Sequence, residues 1–187
     1  MKEIKNGLLL FVVLSLLTGV VYPAAVTILA QLLFPRQANG SIIHRADGML
    51  MGSALIGQPF SDPKYFWPRP SATTDFPYNV LASGGSNLGP TNKDLINQVA
   101  ERVKSFRESR IQGSLPADLV MASGSGLDPD ISPEAAFIQI PRIAKERNMT
   151  EEKLRSLVQA HLEDRQFGFL GTPRVNVLEL NLALNRG

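Results

Sequence analysis

The 187-residue chain contains no cysteine, only two histidines and a single tryptophan. Without cysteine there are no disulfides, no thiolate metal sites, no iron–sulfur ligation and no cysteine nucleophile. His44 and His161 alone cannot build a histidine-rich metal centre. An excess of one charge is missing as well. The formal net charge is +2, and after residue 35 the chain carries 17 Lys/Arg against 16 Asp/Glu. So even a balance forms no phosphate-binding surface, and nucleic acid is not expected as a partner.

Charge is most conspicuously absent between residues 6 and 35, where no Asp, Glu, Lys, Arg or His occurs. A bilayer core needs about 20 apolar helical residues. Residues 7–34 would extend roughly 42 Å as a helix, enough to cross with tilt. Pro23 cannot donate its backbone bond and is expected to kink that helix near its middle. A cleaved signal peptide is the competing reading, but its apolar stretch is normally about 7–15 residues and ends at an Ala-x-Ala site. Here Ala24 and Ala25 are adjacent and Ala30 stands alone. An uncleaved anchor over 7–34 is expected, with 1–6 as a short cytoplasmic N-terminus and 35–187 as an extracytoplasmic domain. Lys2 and Lys5 precede the span and Arg36 and Arg45 follow it, so the positive-inside rule only leans toward this orientation. Ser15, Thr18, Gly19 and Tyr22 share roughly one side. Small residues at that spacing admit a partner helix, although they also occur in spans that merely anchor.

From Gly40 to Pro90 there are seven glycines and six prolines in 51 residues. That is about twice the ordinary density and predicts a loop-rich region. Met49–Ile56 reads as a short strand. Thr91 and Asp94 resemble a capping box, and Leu95, Ile96, Val99, Val103 and Phe106 then recur at helical spacing, predicting a helix over 92–109. Leu119–Met121 suggests a brief strand. Ser132-Pro133-Glu134 opens a helix running to about Arg147, with Pro141 as a kink or break. Thr150 caps a helix over 151–164, and Val175, Val177, Leu180 and Leu182 suggest a closing strand. The expected fold class is α+β: one N-terminal transmembrane helix followed by a single mixed, loop-rich domain.

Candidate chemistry is thin. Ser83-Gly84-Gly85-Ser86-Asn87-Leu88-Gly89 precedes a helix, as a phosphate cradle would, but Pro90-Thr91 stands where a P-loop needs lysine. Ser123-Gly124-Ser125-Gly126 lacks the glycine that a nucleophile elbow requires, which reduces a membrane-tethered serine hydrolase using Ser125 or Ser123 to the alternative reading. Asp128 and Asp130 lack the remaining positions of a calcium loop and are read as turn and cap groups. Tyr65-Phe66-Trp67 with Arg69 is either a partner-contact cluster or a core cluster. His161 on an apolar stripe is read as a packed side chain. No catalytic residue, metal ligand or bound cofactor is assigned.

The ordered segments Gly52–Gln58, Tyr65-Phe66, Arg69–Ala72, Ser83–Leu88, Ser123–Asp128, Ile131–Pro133 and Arg174–Leu184, together with Tyr22-Pro23 in the span, closely resemble the KdpC family. These are the C subunits of the bacterial Kdp high-affinity potassium-transporting P-type ATPase. The resemblance covers essentially the whole chain. It implies a non-catalytic accessory subunit in the bacterial inner membrane, whose partners are the potassium-conducting subunit, the P-type ATPase subunit and the lipid bilayer. It also implies support of assembly and the role of a catalytic chaperone that raises the ATP affinity of the ATPase subunit. An external domain lies away from cellular ATP, so nucleotide is expected only through the ATPase subunit. Partner contact is then expected at Tyr65, Phe66, Trp67 and Arg69 and at Ser83, Gly84, Gly85, Ser86 and Asn87, with Ser15, Thr18, Gly19 and Tyr22 as the helix-packing face.

Overall fold

Leu, Val and Ile without interruption by charge favour a continuous helix, and the computed structural model, which describes residues 1–45, 47–111 and 113–186, contains one from Lys2 to Leu33. The chain divides into two compact units, Met1–Ser53 and Ala54–Gly187. In the first, α1 (Lys2–Leu16) and α2 (Tyr22–Leu33) are joined by a π turn over Leu17–Val21. This turn is the local answer to Pro23, which has no amide hydrogen to offer the preceding turn. The helix widens just before the proline, and the Tyr22 N–H reaches back five residues to the Leu17 carbonyl. Thr18 Oγ1 donates to the Leu14 carbonyl at 2.8 Å. No residue of this helix is buried, and it is long and apolar enough to cross a membrane.

After Phe34 the short helix α3 (Pro35–Ala38) is tied back by Asn39. Its amide donates to the Pro35 carbonyl at 2.7 Å and to Gln31 Oε1 at 3.1 Å. The strand expected over 49–56 is shorter, β2 (Leu50–Ser53), and pairs antiparallel with β1 (Ile42–His44), with Ile42 opposite Ser53.

The second unit opens with about forty residues of irregular chain and then α4 (Lys93–Glu108). Its cap is Asn92, not Thr91: Asn92 Oδ1 accepts from the Asp94 N–H at 2.7 Å. A short amide at an extended position caps at least as well as threonine, so the helix starts one residue later than expected. The brief strand expected at Leu119–Met121 is instead one helical turn, α5 (Ala117–Val120). A four-residue apolar run carries no period by which to tell the two apart. β3 (Asp130–Ile131) precedes α6 (Pro133–Phe137), whose cap Ser132 accepts from the Ala135 N–H at 3.1 Å. The break expected near Pro141 is present, with the proline in the first turn of α7 (Ile140–Arg147). Asn148 in a left-handed conformation ends α7, and Thr150 caps α8 (Glu151–Ala160).

Two expectations fail in the C-terminal region. α8 stops before His161, and Leu162–Glu163 form β4 instead of a last helical turn. The residues predicted as a closing strand form strand β5 (Arg174–Asn176) only at their start and continue as helix α9 (Val177–Leu184). Asn176 causes the change by accepting from the Glu179 N–H at 3.1 Å as an N-cap. Val177, Leu180, Asn181 and Leu184 then fall on one buried helical face. β5 is the centre of an antiparallel sheet ordered β3-β5-β4, with Val175 opposite both Ile131 and Leu162. The helices pack beside it around Phe66, Leu119, Ile140, Ile143, Leu154, Val158 and Leu180. Each such side chain contributes about 1.5–3 kcal/mol when fully buried.

Candidate functional site

The segment Asp62–Arg69 has no helix or strand bonds of its own, so its backbone groups must be satisfied by other means. Two fully buried amides do this. Asn181 on α9 accepts from the Phe66 N–H and donates to the Phe66 carbonyl, both at 2.9 Å. Gln139, just before α7, accepts from the Trp67 N–H at 2.8 Å and donates to the Trp67 carbonyl at 3.2 Å. Arg142 completes the clamp. Its guanidinium lies 4.1 Å from the centre of the Trp67 ring and donates to the carbonyls of Pro63 and Tyr65 and to Gln139 Oε1. Burial lowers the Arg142 pKa from its ordinary value to about 10. Arg147 donates to the Lys64 carbonyl at 2.8 Å.

Of the aromatic cluster, then, Phe66 is a core residue with 0% exposure, while Tyr65 and Trp67 are half-buried against the core. Gln139, Arg142 and Asn181 were not singled out in the sequence. The available signal was a polar residue on an otherwise apolar helical stripe, which marks a buried hydrogen-bonding task.

Arg69 leads into a set of loops bonded to one another. Its Nη1 meets Asp128 Oδ2 at 2.7 Å, and its carbonyl accepts from the Tyr78 hydroxyl at 2.6 Å. Burial pushes the Tyr78 hydroxyl well above its ordinary pKa. Ser71 Oγ donates to the Gly126 carbonyl at 2.7 Å, and the Gly57 N–H donates to the Leu127 carbonyl at 2.9 Å. The Ser125 carbonyl accepts from the Gly84 N–H at 2.8 Å and from Ser83 Oγ at 3.0 Å. Both glycine-rich runs therefore serve close loop packing. At Gly126 (φ +68°) a Cβ would lie 2.7 Å from the Gly84 carbonyl, and at Gly57 one would collide with the Tyr78 ring. Gly84, Gly85 and Ser86 are half-buried, and Ser83 and Asn87 are exposed.

Ser123 is buried, and exposed Ser125 accepts at Oγ from the Leu127 N–H at 3.1 Å. His161 instead places Nδ1 2.9 Å from the Leu157 carbonyl. The hydrogen bonds of the described residues do not link either serine to a histidine.

Beside these loops a cavity of about 810 Å³ is lined by both signs of charge, among them Arg69, Asp118, Asp128, Asp130, Glu134 and Arg174. Asp128 Oδ1 accepts from the Asp130 N–H at 3.0 Å, as in an Asx turn. Asp130 is no helix cap; it pairs with Arg174 Nε at 3.1 Å. Burial raises the Asp130 carboxyl to about 6, outweighing Arg174. Among the described residues no group of three or more His, Cys, Asp or Glu could hold a metal ion.

The family model described as "K+-transporting ATPase, c chain" (KdpC) matches residues 4–186. The chain belongs to the KdpC family. It is 62% identical to the potassium-transporting ATPase KdpC subunit of Geotalea uraniireducens, with 100% of this chain and 98% of that protein covered. It is 60% identical to the subunit of the same name from Geobacter metallireducens, with the same coverage. Against that of Rhodopseudomonas palustris the identity is 53%, covering 99% of this chain and 98% of the relative.

In this KdpC chain Ser15, Thr18, Gly19 and Tyr22 are all exposed, and the π turn falls within their stretch. The Thr18 hydroxyl is engaged with the Leu14 carbonyl. A Cβ at Gly19 would meet nothing within 4 Å, so packing within the chain does not demand a glycine there.

Proposed function

We propose that this chain is the non-catalytic accessory subunit of an ATP-driven potassium uptake complex in the bacterial inner membrane. Residues 7–34 span the bilayer, 1–6 are cytoplasmic, and 35–187 form the extracytoplasmic domain. What carries this reading is the apolar helix Lys2–Leu33, none of whose residues is buried, in a chain of this family, since such a surface needs lipid or another helix around it. Ser15, Thr18, Gly19 and Tyr22 form the face toward a neighbouring helix. Tyr65, Trp67 and Arg69, with Ser83–Asn87, form the contact loops toward the potassium-conducting and P-type ATPase subunits, and Phe66 backs them from the core.

The clamped segment and the bonded loops support such a role because a subunit that biases its partners must present a rigid surface. An external domain influences ATP turnover only by contacting one state of its partners better than another. The catalytic-chaperone effect on ATP affinity is of this kind, with nucleotide held by the ATPase subunit.

The test is affinity purification of the tagged chain from membranes in mild detergent, with mass spectrometry of its companions. Recovery with a multi-span potassium-conducting protein and a P-type ATPase is expected. Recovery of the folded, monodisperse chain alone contradicts the proposal.

A further inference from the structure

The connection from β4 to β5 contains a tight turn that nothing above uses. Gln166 and Leu170 pair across it: the Gln166 N–H donates to the Leu170 carbonyl at 3.0 Å and the Leu170 N–H returns to the Gln166 carbonyl at 2.9 Å. Between them, the Gly168 N–H donates to the Arg165 carbonyl at 3.1 Å and the Phe169 N–H to the Gln166 carbonyl at 3.3 Å. The amides of Gln166, Gly168, Phe169 and Leu170 are thus satisfied within the turn itself.

Its side chains are placed in the opposite sense. Phe167 is 88% exposed and Phe169 71%, with Leu170 about half exposed. Phe167 holds φ +54°, a left-handed conformation that costs a non-glycine residue roughly 1 kcal/mol or more. The turn therefore carries two largely exposed phenylalanines outward at a cost in backbone energy.

We propose that the turn Arg165–Leu170 inserts into the interfacial layer of the lipid bilayer, with Phe167 and Phe169 among the upper acyl chains and Arg165 at the phosphate level. Four amides of the turn thus carry their own partners, and at interfacial depth headgroups and water serve the remaining backbone groups. Phenylalanine and leucine are residues of shallow insertion, to a depth of about 5–10 Å, and an arginine beside them extends its head back to the phosphates. Of the acids before the turn, Asp164 accepts at Oδ1 from the Arg165 N–H at 2.7 Å and keeps its charge, and the Glu163 carboxylate is held by Arg174 Nη2 at 2.7 Å.

Chain length keeps the bilayer within reach. Only 20 residues separate Leu33, the last of the apolar helix, from Ala54, the first of the second unit. Fully drawn out they extend at most about 70 Å. The Ala54 carbonyl accepts from Asn176 Nδ2 at 2.8 Å, at the far end of the three-residue strand into which the turn leads. The inference rests on the reading of residues 7–34 as a membrane anchor, and the test separates the two.

The absence of cysteine from this chain allows a nitroxide label to be placed on it one position at a time, with the complex of the unsubstituted chain labelled alongside as the blank. F167C, F169C, N97C at an exposed position of α4 and V12C in the apolar helix are each labelled in the complex as purified. The samples are reconstituted into phosphatidylethanolamine–phosphatidylglycerol vesicles, and relaxation by oxygen is compared with relaxation by a water-soluble nickel chelate. Oxygen should dominate at 167, 169 and 12, and nickel at 97. Nickel dominance at both 167 and 169 with oxygen dominance at 12 overturns the inference and leaves the anchor standing. An immobilised label shielded from both agents at 167 and 169 means a pocket in a partner protein, and also overturns it. Nickel dominance at 12 removes the anchor reading and this inference with it.

Discussion

Asn181 serves Phe66 as a neighbouring strand would, accepting from its N–H and donating to its carbonyl, both at 2.9 Å, across 115 positions of sequence. With the equivalent pair between Gln139 and Trp67, it fixes an extended segment to the helical core without any sheet. The half-buried aromatics beside Phe66 therefore sit on a backbone that cannot shift independently of α7 and α9.

Replacing Asn181 with leucine leaves both polar groups of the Phe66 backbone buried and unpaired. Each costs about 1–3 kcal/mol, so the N181L chain should lose about 3 kcal/mol of stability. The single tryptophan reports this directly, because Trp67 packs against Phe106 in the same core, with ring centres 5.2 Å apart and the planes tilted by 59°. Its fluorescence during urea unfolding should show a clearly lowered midpoint, and an unchanged midpoint would rule out the clamp as a stabilising device.

Two glycines in the bonded loops should respond oppositely to alanine. At Gly126 the added methyl meets Thr73 and the Gly84 carbonyl at a positive φ, and a loss of about 2 kcal/mol or more is expected. At Gly84 nothing lies within 4 Å of the added methyl, so stability should change by no more than about 0.5 kcal/mol. If the Ser83–Asn87 loop touches a partner, G84A should nevertheless weaken co-purification of the other subunits. Normal co-purification with unchanged stability would remove Gly84 from the contact surface.

The Asp130 carboxyl sits at about 6, above its ordinary 3.8, because burial disfavours its charge. Between about pH 4 and 6 the folded chain holds this proton more tightly than the unfolded chain. Asp130 therefore favours folding in acid, and that contribution is lost as pH rises through 6. The difference in unfolding midpoint between wild type and D130N should change across this window and level off above it. A flat difference would mean that the Asp130–Arg174 pair, not burial, governs the carboxyl.

In the apolar helix, G19L should reduce recovery of the partner subunits while membrane extraction of the chain itself is unchanged, because added bulk blocks close approach of a neighbouring helix. Equal recovery of partners would reject the Ser15–Tyr22 face.

What the sequence made legible was whatever repeats locally. The apolar run, the α4 stripe from Leu95 to Phe106, and the break at Pro141 each carry their signal within a few turns. Val175–Leu184 misled because alternation and helical spacing overlap in a short apolar run, and the choice fell to one Asn176 side chain. β4 was hidden because its pairing partner, Arg174 of β5, lies 11 residues away and offers no local period. The site behaved likewise. The glycine-rich loops were visible as loops. Their mutual bonding was not visible, since Gly84 and Ser125 lie about forty residues apart, and neither were the buried amides of Gln139 and Asn181.

The most direct test of the accessory role compares potassium-stimulated ATP hydrolysis by the reconstituted potassium-conducting and ATPase subunits with and without this chain. Hydrolysis should depend on the chain, with a higher apparent affinity for ATP in its presence, and the chain alone should hydrolyse none. Equal turnover and ATP affinity in its absence, or hydrolysis by the purified chain itself, would contradict the account.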